Sequence, residues 1–246
     1  MFRTPDNIGL IRMTRQWIFL VSVLVLAYCV GCTSYNKNSE GLRYLGQARY
    51  NEAKVAFEAA LKAEPNNPDT YYNLAATYHQ SGKISLQSGQ SADAQLQYDQ
   101  ALRNYQLCLT HNPNHTEAHR GLAVLYMETQ NADAAFKLLI DWYNTHVTSP
   151  EPKIELARLY QEYAQICQLQ NRTDVAKECL DSAAKMLQSA LATDPTNYRA
   201  LRASGFLKEQ NGDLQGAITD YQRSFQANPQ QNDIENRITA LIQRIN

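Results

Sequence analysis

The feature of this sequence that most restricts its fold is a repeated pattern that ends in proline. Before each of four prolines, a small, a large and a small residue stand 12, 8 and 5 positions upstream. These offsets put the three residues on one face of a helix, where the small ones let a neighbouring helix approach closely. Such self-similarity predicts stacked helical units. The four sets are Ala53, Phe57, Ala60 and Pro65; Ala101, Tyr105, Cys108 and Pro113; Ala183, Leu187, Ala190 and Pro195; and Ala217, Tyr221, Ser224 and Pro229.

The pattern resembles the tetratricopeptide repeat (TPR), a helix–turn–helix unit of about 34 residues. The family's first-helix positions for Leu-Gly/Ala and Tyr are also filled, by Leu74-Ala75 with Tyr78, Leu122-Ala123 with Tyr126, and Leu156-Ala157 with Tyr160. The resemblance implies an all-α fold, a right-handed helical solenoid. Placing the proline at the family's position 32 gives five repeats. They form the domain 40–231, and the register of the first repeat begins at residue 34, inside the segment that precedes the domain. Their boundaries are 34–67, 68–115, 116–149, 150–197 and 198–231.

Two of these repeats are longer than the family's unit. Repeats 68–115 and 150–197 each hold 48 residues, which is 14 more than the others. Seven additional residues make about two helical turns, so both helices of each hairpin should be extended. This predicts turns at Ser88-Gly89-Gln90 and at Gln170-Asn171-Arg172. We expect these extended hairpins to contact a partner or a second copy of the chain in an oligomer.

The last segment, residues 232–246, has apolar residues on one helical face. They recur at i, i+4, i+7, i+8 and i+11, which predicts an amphipathic helix that caps the last repeat. The residues are Ile234, Ile238, Leu241, Ile242 and Ile245.

The N-terminus, residues 1–31, has the pattern of an export signal, expected to be helical. Arg12 and Arg15 precede an apolar run of about 14 residues, shorter than the ~20 that a spanning helix needs. The run ends Cys29-Val30-Gly31-Cys32, which resembles the lipobox of bacterial lipoproteins and implies a lipid on Cys32 followed by a tether, residues 32–39. Because Thr33 rather than Asp follows the cysteine, the resemblance implies an outer membrane location facing the periplasm. An uncleaved anchor and a secreted or cytoplasmic form are the alternatives.

Composition and motifs give no indication of an enzyme. The net charge is −1, which does not favour a nucleic-acid partner. No Gly-rich phosphate loop, GxSxG motif or paired carboxylates stand out. His111, His115 and His119 are spaced by four residues, but Asn112-Pro113-Asn114 breaks the helix between them. We therefore expect no catalytic residues, no cofactor and no metal site.

The resemblance places the functional surface on the first helices, which line a concave groove. Aromatic, Arg and Met side chains at the family's groove positions are typical of protein-binding surfaces, so we expect a protein or peptide partner. The alternative is an envelope enzyme or sugar-binding accessory, which a buried group of titratable residues in the groove would favour. The expected contact residues are Tyr72, His79, Gln80, Arg120, Val124, Met127, Arg158, Gln161, Glu162, Arg199, Arg202 and Phe206.

Overall fold

The computed structural model describes residues 37–245, which fold into eleven α-helices and contain no β-strand. The predicted all-α fold class is confirmed. The chain divides between Ala118 and His119 into two compact units, and we call their described parts, residues 37–118 and 119–245, the first and the second unit. The helices are α1 (37–46), α2 (Tyr50–Ala63), α3 (Pro68–Gln87), α4 (Ser91–His111), α5 (Thr116–Glu128), α6 (Ala132–Thr145), α7 (Pro150–Leu169), α8 (Thr173–Thr193), α9 (Tyr198–Gln210), α10 (Leu214–Ala227) and α11 (Asn232–Ile245).

Polar caps fix where several first helices begin. The side chain of Asn67 accepts a hydrogen bond from the backbone N–H of Thr70, and Pro68 follows it at the start of α3. Ser149 and Pro150 begin α7 in the same way. An oxygen-bearing cap satisfies a free N–H of the first turn, and proline is tolerated there because its missing N–H would have no helical partner.

The hairpins share one kind of turn, in which a single residue has a left-handed backbone conformation. In the first long hairpin, the N–H of Gly89 donates to the carbonyl of Leu86, and the N–H of Gln90 donates to the carbonyl of Ser85. These two bonds define a Schellman C-cap. The turns at 88–90 and 170–172 are those predicted. The left-handed residues recur at a constant interval of 41 positions: Ala48, Gly89, Gln130, Asn171 and Gly212, with φ from 56° to 80°.

Each hairpin also closes around a small residue on its first helix and a large one 16 positions later. A β-carbon added at Gly82 would lie 2.6 Å from the Tyr98 ring, so only glycine lets the two helices approach this closely. Glycine faces an aromatic ring in three hairpins, and alanine faces leucine in two. The pairs are Gly41–Phe57, Gly82–Tyr98, Ala123–Leu139, Ala164–Leu180 and Gly205–Tyr221.

The two long hairpins contain a second packing layer of the same kind, seven residues further from the turn. In the first unit, Ala75 is fully buried, and the ring of Tyr105 lies 6.2 Å from those of both Tyr72 and His79. In the second unit, Ala157 and Leu187 belong to one buried cluster. Because seven residues complete about two turns, the new layer falls on the same helix face as the old one. The 14 additional residues therefore add one complete layer to each hairpin.

The predicted capping helix is present as α11. Ile234 and Leu241 are 2% and 1% exposed and pack against Ala217, Ile218 and Tyr221 of α10. Ile242 and Ile245 remain 41% and 47% exposed, so the apolar face is covered only in part. Burying large aliphatic side chains on this scale contributes on the order of 2 kcal/mol each.

The N-terminal predictions lie almost entirely outside the described residues. These include the export signal, residues 1–31, and the lipidation of Cys32. One boundary is corrected, because residues 37–39, assigned to the tether, already belong to α1. Lys37 forms an ion pair with Glu40 one helical turn later, at 2.8 Å, which favours helix there. Within residues 37–245, none of the helices has the length and apolar character needed to span a bilayer.

Candidate functional site

A cavity of about 660 Å³ lies within the second unit, and we call it the second-unit cavity. Its wall comes mainly from the first helices α5, α7 and α9, with contributions from α6, α10 and α11. Cavities of this volume are typical of ligand sites. Five arginines and three carboxylates line it: Arg120, Arg158, Arg199, Arg202 and Arg237, with Glu155, Glu162 and Asp233. Two carboxylates outside the wall, Glu151 and Glu209, also pair with these arginines.

Helix starts position the charged side chains of α7 and α9. The side chain of Asn197 accepts hydrogen bonds from the backbone N–H groups of Arg199 and Ala200, both at 3.1 Å, and so fixes the first turn of α9. From that start, Arg199, Arg202 and Phe206 follow at i, i+3 and i+7 and share one helix face. In α7 the same spacing puts Glu155, Arg158 and Glu162 on the cavity face.

A buried carboxylate lies at the base of this charge cluster. The Glu155 side chain is only 2% exposed. Its Oε2 accepts from Arg120 Nε at 2.8 Å and its Oε1 from Arg120 Nη2 at 2.6 Å, a bidentate pair. Arg199 also donates to Oε1, and its other guanidinium nitrogen contacts Glu151. Charge-assisted bonds of this kind are the strong ones, so Glu155 fixes both arginines in place.

Two further arginines are engaged at the rim. Arg202 pairs with Asp233 of α11 at 2.6 Å, and both side chains are about half exposed. Arg237 pairs with Glu209 at 2.6 Å, and its guanidinium carbon lies 5.3 Å from the centre of the Phe206 ring. The Arg202–Asp233 pair is screened by water and holds its partners only weakly. Glu209 is only 14% exposed and also accepts a hydrogen bond from the Tyr221 hydroxyl, so the pair with Arg237 is better shielded. The capping helix therefore contributes charge to the cavity as well as covering the last hairpin.

Arg158 differs from the other four arginines. It is exposed at the cavity wall, and within residues 37–245 it has no carboxylate partner within ion-pair distance. Nearby protein removes part of its hydration and lowers its pKa, and the positive charges of Arg120 and Arg202 act in the same direction. The negative charge of Glu155 opposes that shift more strongly than either arginine favours it, and Glu162 opposes it weakly. Among the five arginines of the wall, Arg158 is thus the one without a carboxylate at ion-pair distance in the described residues.

The structure brings together eight of the twelve contact residues expected from the sequence. All eight line the second-unit cavity: Arg120, Val124, Arg158, Gln161, Glu162, Arg199, Arg202 and Phe206. Arg120 is committed to Glu155, so its role is to shape the wall. Gln161 is 5% exposed and donates to the carbonyl of Ala203, which limits it to a small part of the surface.

The other four expected residues lie elsewhere. Met127 is 7% exposed and belongs to a buried cluster with Leu139 and Trp142, so it is a core residue and not a contact residue. In the first unit, His79 is 8% exposed and packs edge-on against two tyrosine rings, which makes it part of the hairpin interior. Tyr72 is half-buried beside His115, at 5.0 Å between ring centres, and Gln80 is exposed.

Sequence reasoning missed several wall residues. Glu155 was overlooked because its partners, Arg120 and Arg199, stand 35 and 44 positions away. Tyr198 and Gln165 fall outside the family's usual groove positions. Asp233 and Arg237 are separated by four positions on the polar face of α11, and that spacing was the available signal for a second function of this helix.

Comparison with solved structures gives similar folds at low sequence identity. A thermophilic TPR protein of Thermus thermophilus matches with a TM-score of 0.56 and 20% identity, over 85% of this chain and 98% of that one. A human IFIT1 dimer with PPP-AAAA matches with a TM-score of 0.51 and 16% identity, over 78% of this chain. This chain corresponds to 48% of the IFIT1 chain. At these identities the likeness concerns the fold alone.

Comparison with curated proteins gives no match. Comparison with protein families gives four matches, all described as tetratricopeptide repeat. They cover residues 41–67, 56–96, 94–151 and 172–232, and so most of the chain from the first described hairpin to the start of α11. The repeated helical hairpins and these four matches agree: this chain belongs to the tetratricopeptide repeat family.

Proposed function

We propose that this chain is a non-enzymatic scaffold that binds a segment of a partner protein in the second-unit cavity. The observation that carries the proposal is the cavity itself, an open site of about 660 Å³ on the first helices. Arginine and aromatic side chains are enriched where proteins bind one another, and Arg158, Arg202 and Phe206 all lie on this wall.

We further propose that the scaffold is a lipoprotein of a bacterial envelope, anchored through Cys32 and helping to assemble an envelope complex. The support for this comes from the sequence: the apolar run that ends in Cys29-Val30-Gly31-Cys32 and the short polar segment after it. A lipid anchor would keep the repeats near the membrane surface, where envelope complexes assemble. The outer membrane, facing the periplasm, is the proposed location.

The rival function, an envelope enzyme or sugar-binding accessory, has one observation in its favour. Glu155 is a buried acidic group in the cavity wall, beside several arginines. Both of its oxygens, however, accept hydrogen bonds from guanidinium groups. A carboxylate held in this way acts as a fixed counter-charge for the arginines, and not as a group that exchanges protons with a substrate. The scaffold function is therefore favoured.

Site-specific crosslinking in intact cells tests the binding site. A photoreactive amino acid placed at Val124 or Phe206 should form a crosslink to the same partner protein, identified by mass spectrometry. The control is the same amino acid at Lys185, which is exposed on α8 and does not line the cavity. Equal crosslinking from all three positions, or from Lys185 alone, would place the binding surface outside the cavity.

Cell fractionation tests the anchor separately. The Cys32→Ala variant should leave the membrane fraction or accumulate as an uncleaved precursor, since it has lost the thiol that receives the lipid. The wild-type chain should carry an acyl group detectable by mass spectrometry. A wild-type chain that is unmodified and soluble would rule out lipidation without affecting the proposed binding site.

A further inference from the structure

We propose that the partner segment entering the second-unit cavity is acidic, and that Arg158 is the residue that receives its carboxylate. This inference rests on the proposed function, because it specifies the chemistry of the same site. It starts from the five arginines of the wall, because four of them have a carboxylate partner at ion-pair distance and Arg158 has none within residues 37–245.

Two of the arginines, Arg120 and Arg199, already form ion pairs with the buried Glu155. Arg120 holds both carboxylate oxygens, and Arg199 bridges Glu155 and Glu151. Removing a partner from such a buried pair leaves an uncompensated charge and is costly. A ligand therefore gains little by competing for these two arginines, and their role is to keep the base of the cavity in shape.

The three arginines that do not pair with Glu155 lie at the rim of the cavity. Arg202 pairs with the exposed Asp233, and Arg237 pairs with the mostly buried Glu209. Arg158 has no carboxylate at ion-pair distance within residues 37–245. Nearby protein removes part of the hydration of Arg158 and so lowers its pKa; the charges of Arg120 and Arg202 add to this effect, and Glu155 opposes it. A carboxylate placed between these guanidinium groups would relieve that repulsion and form a bidentate pair with Arg158.

Apolar surface beside Arg158 favours a peptide as the source of this carboxylate. Val124 and Phe206 line the same wall, and Tyr198 is 38% exposed. A peptide that alternates acidic and aliphatic side chains would match both features. Nucleic acid fits less well, because phosphate backbones are held by many cations along an extended basic surface, and the net charge of this chain is −1.

The test uses the full chain purified in detergent and labelled eight-residue peptides, with binding measured by fluorescence anisotropy. Three peptides alternate Leu with Glu, Gln or Lys, and an eight-nucleotide oligoadenylate supplies phosphate groups. The Leu–Glu peptide should bind at least about tenfold more tightly than the Leu–Gln peptide, since a hydrogen bond between two charged groups is stronger than one to a neutral amide. Arg158→Gln should remove this preference.

Two variants make the result specific. Arg103→Gln removes an exposed arginine of α4 in the first unit and should leave all affinities unchanged. Arg158→Lys keeps the charge but loses the planar guanidinium group that binds a carboxylate through two N–H groups, so it should retain part of the preference for the Leu–Glu peptide. Circular dichroism of each variant checks that the helices remain folded.

Several outcomes would overturn the inference. Equal binding of the Leu–Glu and Leu–Gln peptides, or no effect of Arg158→Gln, would show that charge does not select the partner. Tighter binding of the oligoadenylate would assign the cavity to phosphate, and failure of the Leu–Glu peptide to bind at millimolar concentration would also refute it. In each case crosslinking from Val124 and Phe206 decides independently whether the cavity binds a protein.

Discussion

The two long hairpins, α3–α4 in the first unit and α7–α8 in the second, have the same helix lengths and the same turn position. Their first helices are both 20 residues long and their second helices both 21, so each residue of one has a counterpart 82 positions later in the other. Even the left-handed turn residue corresponds, Gly89 in one and Asn171 in the other. Two hairpins of identical length can therefore be compared residue by residue.

Their interiors are filled in different ways. The first hairpin packs rings, with His79 edge-on to Tyr98 and Tyr105, and needs Gly82 to make room. In the second, the counterpart of Gly82 is Ala164, which packs beside Cys167 and two further small residues. Close packing requires complementary volumes, and either combination meets that requirement. The comparison shows that the register is kept while the side chains that fill each layer change together.

The cavity face differs more than the interior does. Glu155 and Arg158 correspond to Asn73 and Ala76 of the first hairpin. Asn73 makes a single hydrogen bond to Asn38 at 3.2 Å, whereas Glu155 anchors two arginines. In both hairpins the polar side chain at the first of these positions bonds to residues outside its own hairpin, Asn38 for Asn73 and Arg120 and Arg199 for Glu155. Binding chemistry can therefore be present in one hairpin and absent from its counterpart without changing the fold.

The largest expected effect is a difference in unfolding free energy between alanine variants of Glu155 and of its counterpart Asn73. Glu155→Ala should lower the free energy of unfolding by about 2–3 kcal/mol, because Arg120 and Arg199 lose a shared buried partner. Asn73→Ala, the matched change, should cost less than about 1 kcal/mol. Urea unfolding followed by circular dichroism measures both. Equal losses would mean that the ion pairs around Glu155 contribute nothing beyond an ordinary hydrogen bond.

A double-mutant cycle tests the pairing of small and large residues. Gly82→Ala should destabilise the chain by about 1–2 kcal/mol, since its β-carbon would meet the Tyr98 ring. In a Tyr98→Leu background, which imitates Ala164 and Leu180, the same change should instead stabilise by up to about 1 kcal/mol through helix propensity. If Gly82→Ala has the same sign in both backgrounds, the pairing rule is wrong.

Smaller effects are expected at the left-handed turn residues. Gly89→Ala should cost about 1 kcal/mol, because a β-carbon disfavours that conformation. Asn171→Ala should cost less, as asparagine already carries part of that penalty. Gln130→Gly, in a short hairpin, should gain about 0.5 kcal/mol. Thermal unfolding of the three variants measures the order of their stability changes, and a stabilising effect of Gly89→Ala would contradict this prediction.

The smallest perturbation is chemical labelling of the native cysteines, because it needs no mutation and so leaves the packing of the chain unchanged before the reaction. Burial raises the pKa of Cys108 to about 12 and also raises that of Cys179. Thiolate is the reactive form, so at pH 8 both should resist iodoacetamide, and Cys108, fully buried, should react more slowly than Cys179, which is 8% exposed. Mass spectrometry of digests measures the rates. Rapid labelling of Cys108 would indicate that the first hairpin opens readily.

Much of the fold followed from the sequence because its signals are local. The proline register and the 14 additional residues located both long hairpins and their turns, and the spacing of Ile234 and Leu241 predicted the cap. Gly82 and Ser85, which look like helix-weakening residues, are in fact a packing site and a hydrogen-bond donor to Asp93 at 2.5 Å. Such roles depend on a partner in the second helix, which a single helical segment does not reveal.

The candidate site was predicted less completely, for the same reason. Family positions located Arg158, Arg202 and Phe206, since these require only that first helices share a face. Glu155 and the contribution of α11 depend on ion pairs between residues 31 to 44 positions apart. Sequence periodicity carries no information on which charges meet over such separations, so it could not separate wall-shaping arginines from the one available to a ligand.

The most direct test of the proposed site is hydrogen–deuterium exchange of the full chain with and without the Leu–Glu peptide. The proposal predicts slower exchange in peptide fragments from α7 and α9, whose side chains line the cavity, and no change in α3 or α4. The Arg158→Gln variant should show no protection at the same peptide concentration. Protection confined to α3 and α4, or to the turns at 88–90 and 170–172, would contradict the assignment of binding to the second-unit cavity.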